Sequence, residues 1–299
     1  MQLEKLHAEL DKIARDSSLV HETNLLARAR ALEQIAFTEQ VIDIQRTENP
    51  QCWLELQQMA TDLKTRFEAV DRVLFMSLRM QIQSGNFTRS ELRQEFNQFT
   101  NYRPGPDAPQ HIGYDGLDVL VDNLFKLDQR PEPARKVRDE MVHCELTPAR
   151  AILDMLDHVG FTQNDIFCDI GSGLGQVVMF VRLLSGMASQ GIEYDSAYST
   201  FANRIIEDLN LSHTKIVSGD ARKVRLNAPT IFFMFTPFVG EMMDAVLKKL
   251  KREGRKRPIK ICTYGSCTLR VAEEKWLKTL RPNAIDEYKL AIFTSNTLP

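Results

Sequence analysis

The sequence predicts a doubly wound α/β sheet of seven strands preceded by an all-helical N-terminal module, and three observations carry that prediction. Short apolar runs alternate with stretches of helical period from residue 165 to residue 265. A glycine-rich turn, "GSGLG" at 171–175, joins the first of these runs to the helix after it. Before residue 100 the apolar residues recur at helical spacing, and the first glycine is Gly85.

The N-terminal module, residues 1–100, reads as four or five helices. Leu3, Leu6, Leu10 and Ile13 form one apolar stripe, and Leu56, Met59, Leu63, Phe67, Val70 and Leu74 another. "TRSELRQEF" supplies a capping-box start with Thr88 at the N-cap and Glu91 three residues on. Such helices also offer a face through which two copies could associate. Residues 101–144 read as a linker or lid followed by a helix. "YRPGPDAPQHIGYDG" is turn-rich enough to act as a mobile lid, and "LDVLVDNLF" has helical period.

The third region, 145–299, opens with "TPARAILDMLDHVG", in which Thr147 is placed to cap, Pro148 to take the first helical position and Gly160 to end the helix. "DIFCDI", "ASQGIEY", "TKIVSGD", "TIFFMF" and "IKICTYG" then read as strands. "QVVMFVRLL", "AYSTFANRIIEDLN" and "GEMMDAVLKKLKRE" read as the helices between them. The final "EEKWLKTLRPNAIDEYKLAIFTS" fits two strands joined by a turn at Pro282 and Asn283.

Composition narrows the function class. With 43% hydrophobic and 26% charged residues the chain is neither disordered nor fibrous. A formal charge of −2 gives no global case for nucleic acid or membrane binding. The first residues lack the apolar run of an export signal, and Arg182 breaks the longest apolar stretch, so a cytoplasmic protein without membrane spans is expected. Five cysteines without a CxxC pair, and six histidines without ligand spacing, argue against a disulfide framework and a metal centre.

The turn at 171–175 sits where a doubly wound sheet binds its ligand, and Gly171, Gly173 and Gly175 allow close backbone approach. Two glycines in such a turn are also common for packing alone. The dinucleotide fingerprint GxGxxG is incomplete here, because Gln176 stands at the third glycine. Asp169, two residues before Gly171, would repel a pyrophosphate but attract an ammonium group. S-adenosylmethionine carries that group and no phosphate. Glu193, 18 residues past Gly175, is placed to accept from ribose hydroxyls, and Asp220 from an adenine amino group.

On these residues the sheet half resembles a class I S-adenosylmethionine-dependent methyltransferase, with "DIGSGLG" similar to its motif I and a Rossmann-like seven-stranded sheet implied. "ELTPARAILDMLDHVGFTQNDIFCDIGSGLGQVVMFV" followed by "GIEYD" is similar to the core of the disruptor-of-telomeric-silencing histone lysine methyltransferases and of bacterial proteins sharing it. The resemblance implies that Glu145 and Thr147 lie in a loop closing over the methionine moiety. Asp169 and Gly171 would contact that moiety, Glu193 the ribose, and Asp220 and Ala221 the adenine; Ser172, Gly173, Gly175, Gln176 and Tyr194 are further cofactor-binding candidates. Where the family has an Asn-Asn-Phe type motif, this chain reads "FTPFVG", and Thr236 offers a hydroxyl in place of an amide.

The catalytic wall is therefore expected at Thr236, Pro237 and Phe238, with Tyr264 and Ser266 beside it. Glu145, His143 and Tyr264 are the candidates for a general base. "KKLKREGRKRPIK", with eight basic residues from Lys248 to Lys260, reads first as a solvated helix end. The expected function is methyl transfer from S-adenosylmethionine to an unidentified protein side chain or small molecule. The alternatives are a scaffold that keeps the fold without turnover, and an NAD-dependent oxidoreductase, which Asp169 and the missing glycine oppose.

Overall fold

The computed structural model describes residues 2–45, 50–100 and 114–296. Seven strands form one sheet in the order β3-β2-β1-β4-β5-β7-β6. They are β1 Ile166–Ile170, β2 Ala188–Glu193, β3 Thr214–Ser218, β4 Ile231–Phe235, β5 Lys260–Tyr264, β6 Leu277–Thr279 and β7 Ala291–Ser295. The first five run parallel, whereas β7 is antiparallel to both β5 and β6. The order reverses between β1 and β4, so a crevice opens at their carboxyl ends, where ligands of doubly wound sheets bind.

Both faces of the sheet are covered, which is why its central strands β1 and β4 are almost entirely apolar and buried. Helices α7 Gln176–Ser185 and α8 Ser196–Asp208 lie on one face, with α5 Gly116–Leu124 and α6 Ala149–His158 in the same apolar cluster. Helices α9 Gly240–Gly254 and α10 Cys267–Ala272 cover the other. Every residue of α7 except Arg182 is buried, which fits a helix enclosed on all sides. The short α10 is an element the sequence reading did not foresee. Between β6 and β7 the expected tight turn is a longer connection containing a single 3₁₀ turn, Pro282–Ala284.

Four α-helices build the N-terminal part: α1 Gln2–Arg15, α2 Leu25–Gln45, α3 Pro50–Ser84 and α4 Arg89–Phe96. The capping box at α4 forms with Thr88 and Glu91 bonded reciprocally. One apolar cluster joins α1, α2 and the first half of α3, from Leu6 to Phe67. Arg28 is buried there because Asp71 and the carbonyls of Leu19 and His21 accept its donors. The second half of α3 leaves this cluster. Leu74, Leu78, Ile82, Leu92, Phe96 and Phe99 belong to the core that covers the sheet, so packing runs continuously across residue 101.

Two further details depart from expectation. Pro148 occupies the N-cap of α6 and makes no side-chain cap bond of its own. Asp118 takes the role expected of Thr147, since its Oδ1 accepts from the Ala149 amide at 2.7 Å. The "YRPGPDAPQHIGYDG" lid lies outside the described residues except for Tyr114, Asp115 and Gly116. Among the described residues no helix is long and apolar enough to cross a membrane.

Candidate cofactor and acceptor cleft

The crevice at the switch point is an open cleft, and its lining holds nearly every residue singled out in the sequence. Glu145, Thr147, Asp169, Gly171, Ser172, Gly173, Gln176, Glu193, Tyr194, Asp220 and Ala221 line it, as do Thr236, Pro237 and Phe238. Gly175, Tyr264 and Ser266 do not. Gly175 is a packing glycine: a Cβ there would lie 2.9 Å from Ala202 Cβ on α8. Tyr264 stands behind Phe235, ring centroids 5.1 Å apart, and Phe235 takes the place at the wall. Ser266 lines a neighbouring hollow with Cys267 and Arg270.

The turn after β1 is built from backbone bonds to β2. The amides of Gly171 and Ser172 both donate to the Ile192 carbonyl, at 2.9 and 3.1 Å. The Gly173 amide donates to Glu193 Oε2 at 2.7 Å, and Glu193 Oε1 accepts from the Asp195 amide at 2.7 Å. Glu193 therefore braces the turn as well as facing the cleft. Burial raises its pKa, while these amides pull it back. Gln176 ties down the facing loop, its Oε1 accepting from the Thr147 amide at 3.0 Å. A glycine at 176 would lose that tether.

Asp169 is the outlier of the site. It is 3% exposed, and among the described residues no hydrogen bond or ion pair reaches its carboxylate. Burial, with Glu193 nearby, pushes its pKa well above the usual carboxylate range. Ser172 Oγ is buried without a partner as well. A buried carboxylate and hydroxyl left open at the foot of a cleft fit a ligand with a cationic, hydrogen-bonding group. The methionine end of S-adenosylmethionine is such a group, so the residues present fit that cofactor.

At the far end Asp220 is strongly engaged. Its carboxylate accepts from Arg222 Nε and Nη2, at 2.9 and 2.6 Å, and from the Arg222 amide. These bonds lower its pKa to about 2. A strap at 133–144, unread in the sequence, roofs this end. Its Arg135 amide donates to Asp195 Oδ2, and the guanidinium carbons of Arg135 and Arg138 each lie 4.7 Å from the Tyr194 ring centroid. Met141 pairs with Phe238 in an isolated antiparallel bridge, and Val142 N donates to the Pro237 carbonyl. Glu140 caps α9 from outside, accepting from the amides of Glu241 and Met242 at 2.7 and 3.2 Å. The sequence signal was the run "RPEPARKVRDEM", two prolines followed by dense charge.

The wall after β4 also differs from expectation. Thr236 has φ +39°, a costly conformation for a β-branched residue. Its Oγ1 accepts from the Cys267 amide at 3.1 Å, so the oxygen latches the start of α10 while the O–H keeps its donor. Burial pushes the Tyr264 phenol upward, with Glu145 adding to the shift, and Tyr114 is pushed to about 12 by the same two causes. Neither phenol is a base at neutral pH. His143 and Glu145 are exposed at the rim. The basic run from Lys248 joins its helix to the β3–β4 loop through Lys249 and Arg257, which donate to Ala221, Leu226 and Pro229 carbonyls. Among the described residues no group of three or more His, Cys, Asp or Glu is placed to hold a metal.

Residues 135–229, which include the strap and β1 to β3, match the family described as histone methylation protein DOT1. No curated protein matches the chain. Among solved structures, it is similar to an RNA methyltransferase from Salinibacter ruber in complex with S-adenosyl-L-homocysteine. The identity is 16% over 52% of this chain and 97% of that one, with a TM-score of 0.41. A precorrin-6y C5,15-methyltransferase from Geobacter metallireducens GS-15 shows 19% identity over 53% and 92%, with a TM-score of 0.36. A geranyl diphosphate C-methyltransferase from Streptomyces coelicolor A3(2) shows 13% over 50% and 78%, with a TM-score of 0.38.

Proposed function

We propose that this chain, a class I S-adenosylmethionine-dependent methyltransferase by strand order and matched segment, methylates an acceptor held against Pro237 and Phe238. The acceptor is a protein side chain or a small molecule. The observation that carries the reading is the buried, unpartnered carboxylate of Asp169 beside the glycine turn. When bound, the cofactor supplies an electrophilic methyl on a sulfonium, whose charge is lost during transfer.

This chain's residues position and desolvate. Asp169 would hold the ammonium group, Glu193 the ribose and Asp220 with Ala221 the adenine end. Thr147 and Gln176 would fix the loop over the methionine moiety. Phe235, Pro237 and Phe238 provide an apolar wall that excludes water and lines up the acceptor. Glu145 and His143, both exposed and both lining the cleft, are the candidate bases kept from the sequence.

A second reading, binding without turnover, draws on one observation: Thr236, a hydroxyl where the resembled family has an amide, already accepts from the Cys267 amide. Calorimetric titration with S-adenosylmethionine, S-adenosylhomocysteine and NAD in parallel separates the classes. Micromolar binding of the first two and none of the third is expected. Silence from all three would remove the methyltransferase reading. Binding without methyl transfer to any protein or metabolite fraction would favour the second.

A further inference from the structure

Resting on the acceptor wall proposed above, we infer that Glu140 of the strap is a positioning residue for that wall, acting through the start of α9 to set where Pro237 and Phe238 stand. Glu140 does not itself line the cleft.

Helix α9 begins without a cap of its own. Val239 fills the N-cap position with a side chain that accepts nothing, so the first amides of the helix need an acceptor from elsewhere. Glu140 gives one oxygen to each of two amides. Its Oε1 accepts from Glu241 N at 2.7 Å and its Oε2 from Met242 N at 3.2 Å, and its charge suits the positive end of the helix dipole. The place is cut for this side chain. A Cβ on Gly240 would come within 2.3 Å of Glu140 Oε1, and Gly240 has φ +58°, so glycine is required there on both counts. Asp139, next in the chain, is exposed and has no side-chain partner among the described residues.

Backbone bonds extend the same contact into a short antiparallel pairing. Val239 N donates to the Glu140 carbonyl at 2.8 Å, Val142 N donates to the Pro237 carbonyl at 3.2 Å, and Met141 pairs with Phe238 between them. Phe238 therefore sits between two residues that the strap bonds, directly before the helix that Glu140 caps. Pro237, Phe238 and Met242 all face the cleft, so the strap sets its acceptor side. The acids assigned to the cofactor, Asp169, Glu193 and Asp220, lie on or just after β1, β2 and β3, outside this pairing.

An acceptor must be held in line with the bond being broken, and a shift of about 1 Å is enough to cost roughly a hundredfold in rate. Loss of Glu140 should therefore separate transfer from cofactor affinity. The test compares wild type with Glu140→Ala, Glu140→Gln and Thr88→Ala, the last removing a cap from α4 that is no part of the wall. Calorimetry reads S-adenosylhomocysteine affinity, and methyl transfer from saturating labelled S-adenosylmethionine is followed on the protein and metabolite fractions. Glu140→Ala is expected to cut transfer about tenfold or more with affinity within about twofold. Glu140→Gln, which keeps one acceptor oxygen, should recover part of the rate. Thr88→Ala should melt lower yet transfer normally, because the loss of a cap alone is a stability effect. Crystal structures supply an arm that needs no acceptor: Pro237 and Phe238 should be displaced in Glu140→Ala and unmoved in Thr88→Ala. Unchanged transfer, an equal loss of affinity, or an unmoved wall in Glu140→Ala overturns the positioning role. If wild type binds S-adenosylhomocysteine but methylates no fraction, the reading as an active enzyme falls. A displaced wall then still upholds Glu140 as the residue that sets it, and an unmoved one overturns that too.

Discussion

Gly171 and Pro237 face each other so closely that a Cβ on the glycine would sit 2.3 Å from the proline Cβ. The glycine turn after β1 and the wall after β4 therefore touch, and Gly171 also has φ +82°. Gly171→Ala is expected to destabilise the fold by on the order of 2 kcal/mol and to weaken cofactor binding. Thermal melts and calorimetry on the same preparation measure both. A variant of unchanged stability and affinity would mean the two loops yield without cost.

Asp169→Asn should act in opposite directions on folding and on binding. The folded-state pKa of Asp169 is raised, so its contribution favours folding at low pH and is lost as pH rises through that pKa. The amide removes this cost, so the variant should melt higher than wild type at pH 8 without ligand. Binding of S-adenosylmethionine should weaken by on the order of 1 to 3 kcal/mol, the range for losing a charge-assisted bond. In wild type, binding should tighten with pH and release protons, which titration in buffers of different ionisation enthalpy detects.

Asp122 gives a second pH test. Its Oδ1 is buried without a partner, and burial with Asp118 raises its pKa to about 7. Its contribution to stability is present below about pH 4 and lost as pH climbs towards 7. Asp122→Asn should therefore gain about 1 kcal/mol over wild type at pH 8, after allowance for partial exposure, and almost nothing at pH 4. Urea melts at the two pH values decide it; equal gains at both would place the effect elsewhere.

Phe238 is 4% exposed, so truncation would confuse stability with chemistry. Phe238→Leu keeps most of the packing. Turnover should fall roughly tenfold with cofactor affinity nearly intact, since the ring lines the acceptor side. Parallel loss of affinity would reassign Phe238 to the cofactor wall.

Much of this was legible locally. The alternation of "DIFCDI" and "QVVMFVRLL" needs only period and glycine to be read as strand, turn and helix, and Thr88 with Glu91 announces α4 without help from the rest of the chain. The motif residues fell together because strand ends converge by topology. What sequence pattern did not carry was tertiary. Asp118 caps a helix 31 residues away, Glu140 caps α9 from the strap, and Thr236 turns its hydroxyl to α10 because Cys267 presents an amide there. Each is a partner chosen by folding, invisible to spacing along the chain.

The stacked rings of Phe96 and Phe180, centroids 5.7 Å apart, bear on how this chain could be taken apart. Phe180 sits in the helix that follows the glycine turn, so the floor of the cleft and the end of α4 share one aromatic contact. A fragment beginning at residue 101 would present that ring, and the apolar surface around it, to water. Such a fragment should be recovered as aggregate, while the catalytic sheet grafted together with α4 and the second half of α3 should be recovered as a folded protein. The unit of inheritance for this sheet thus includes helices that its own motifs never mention.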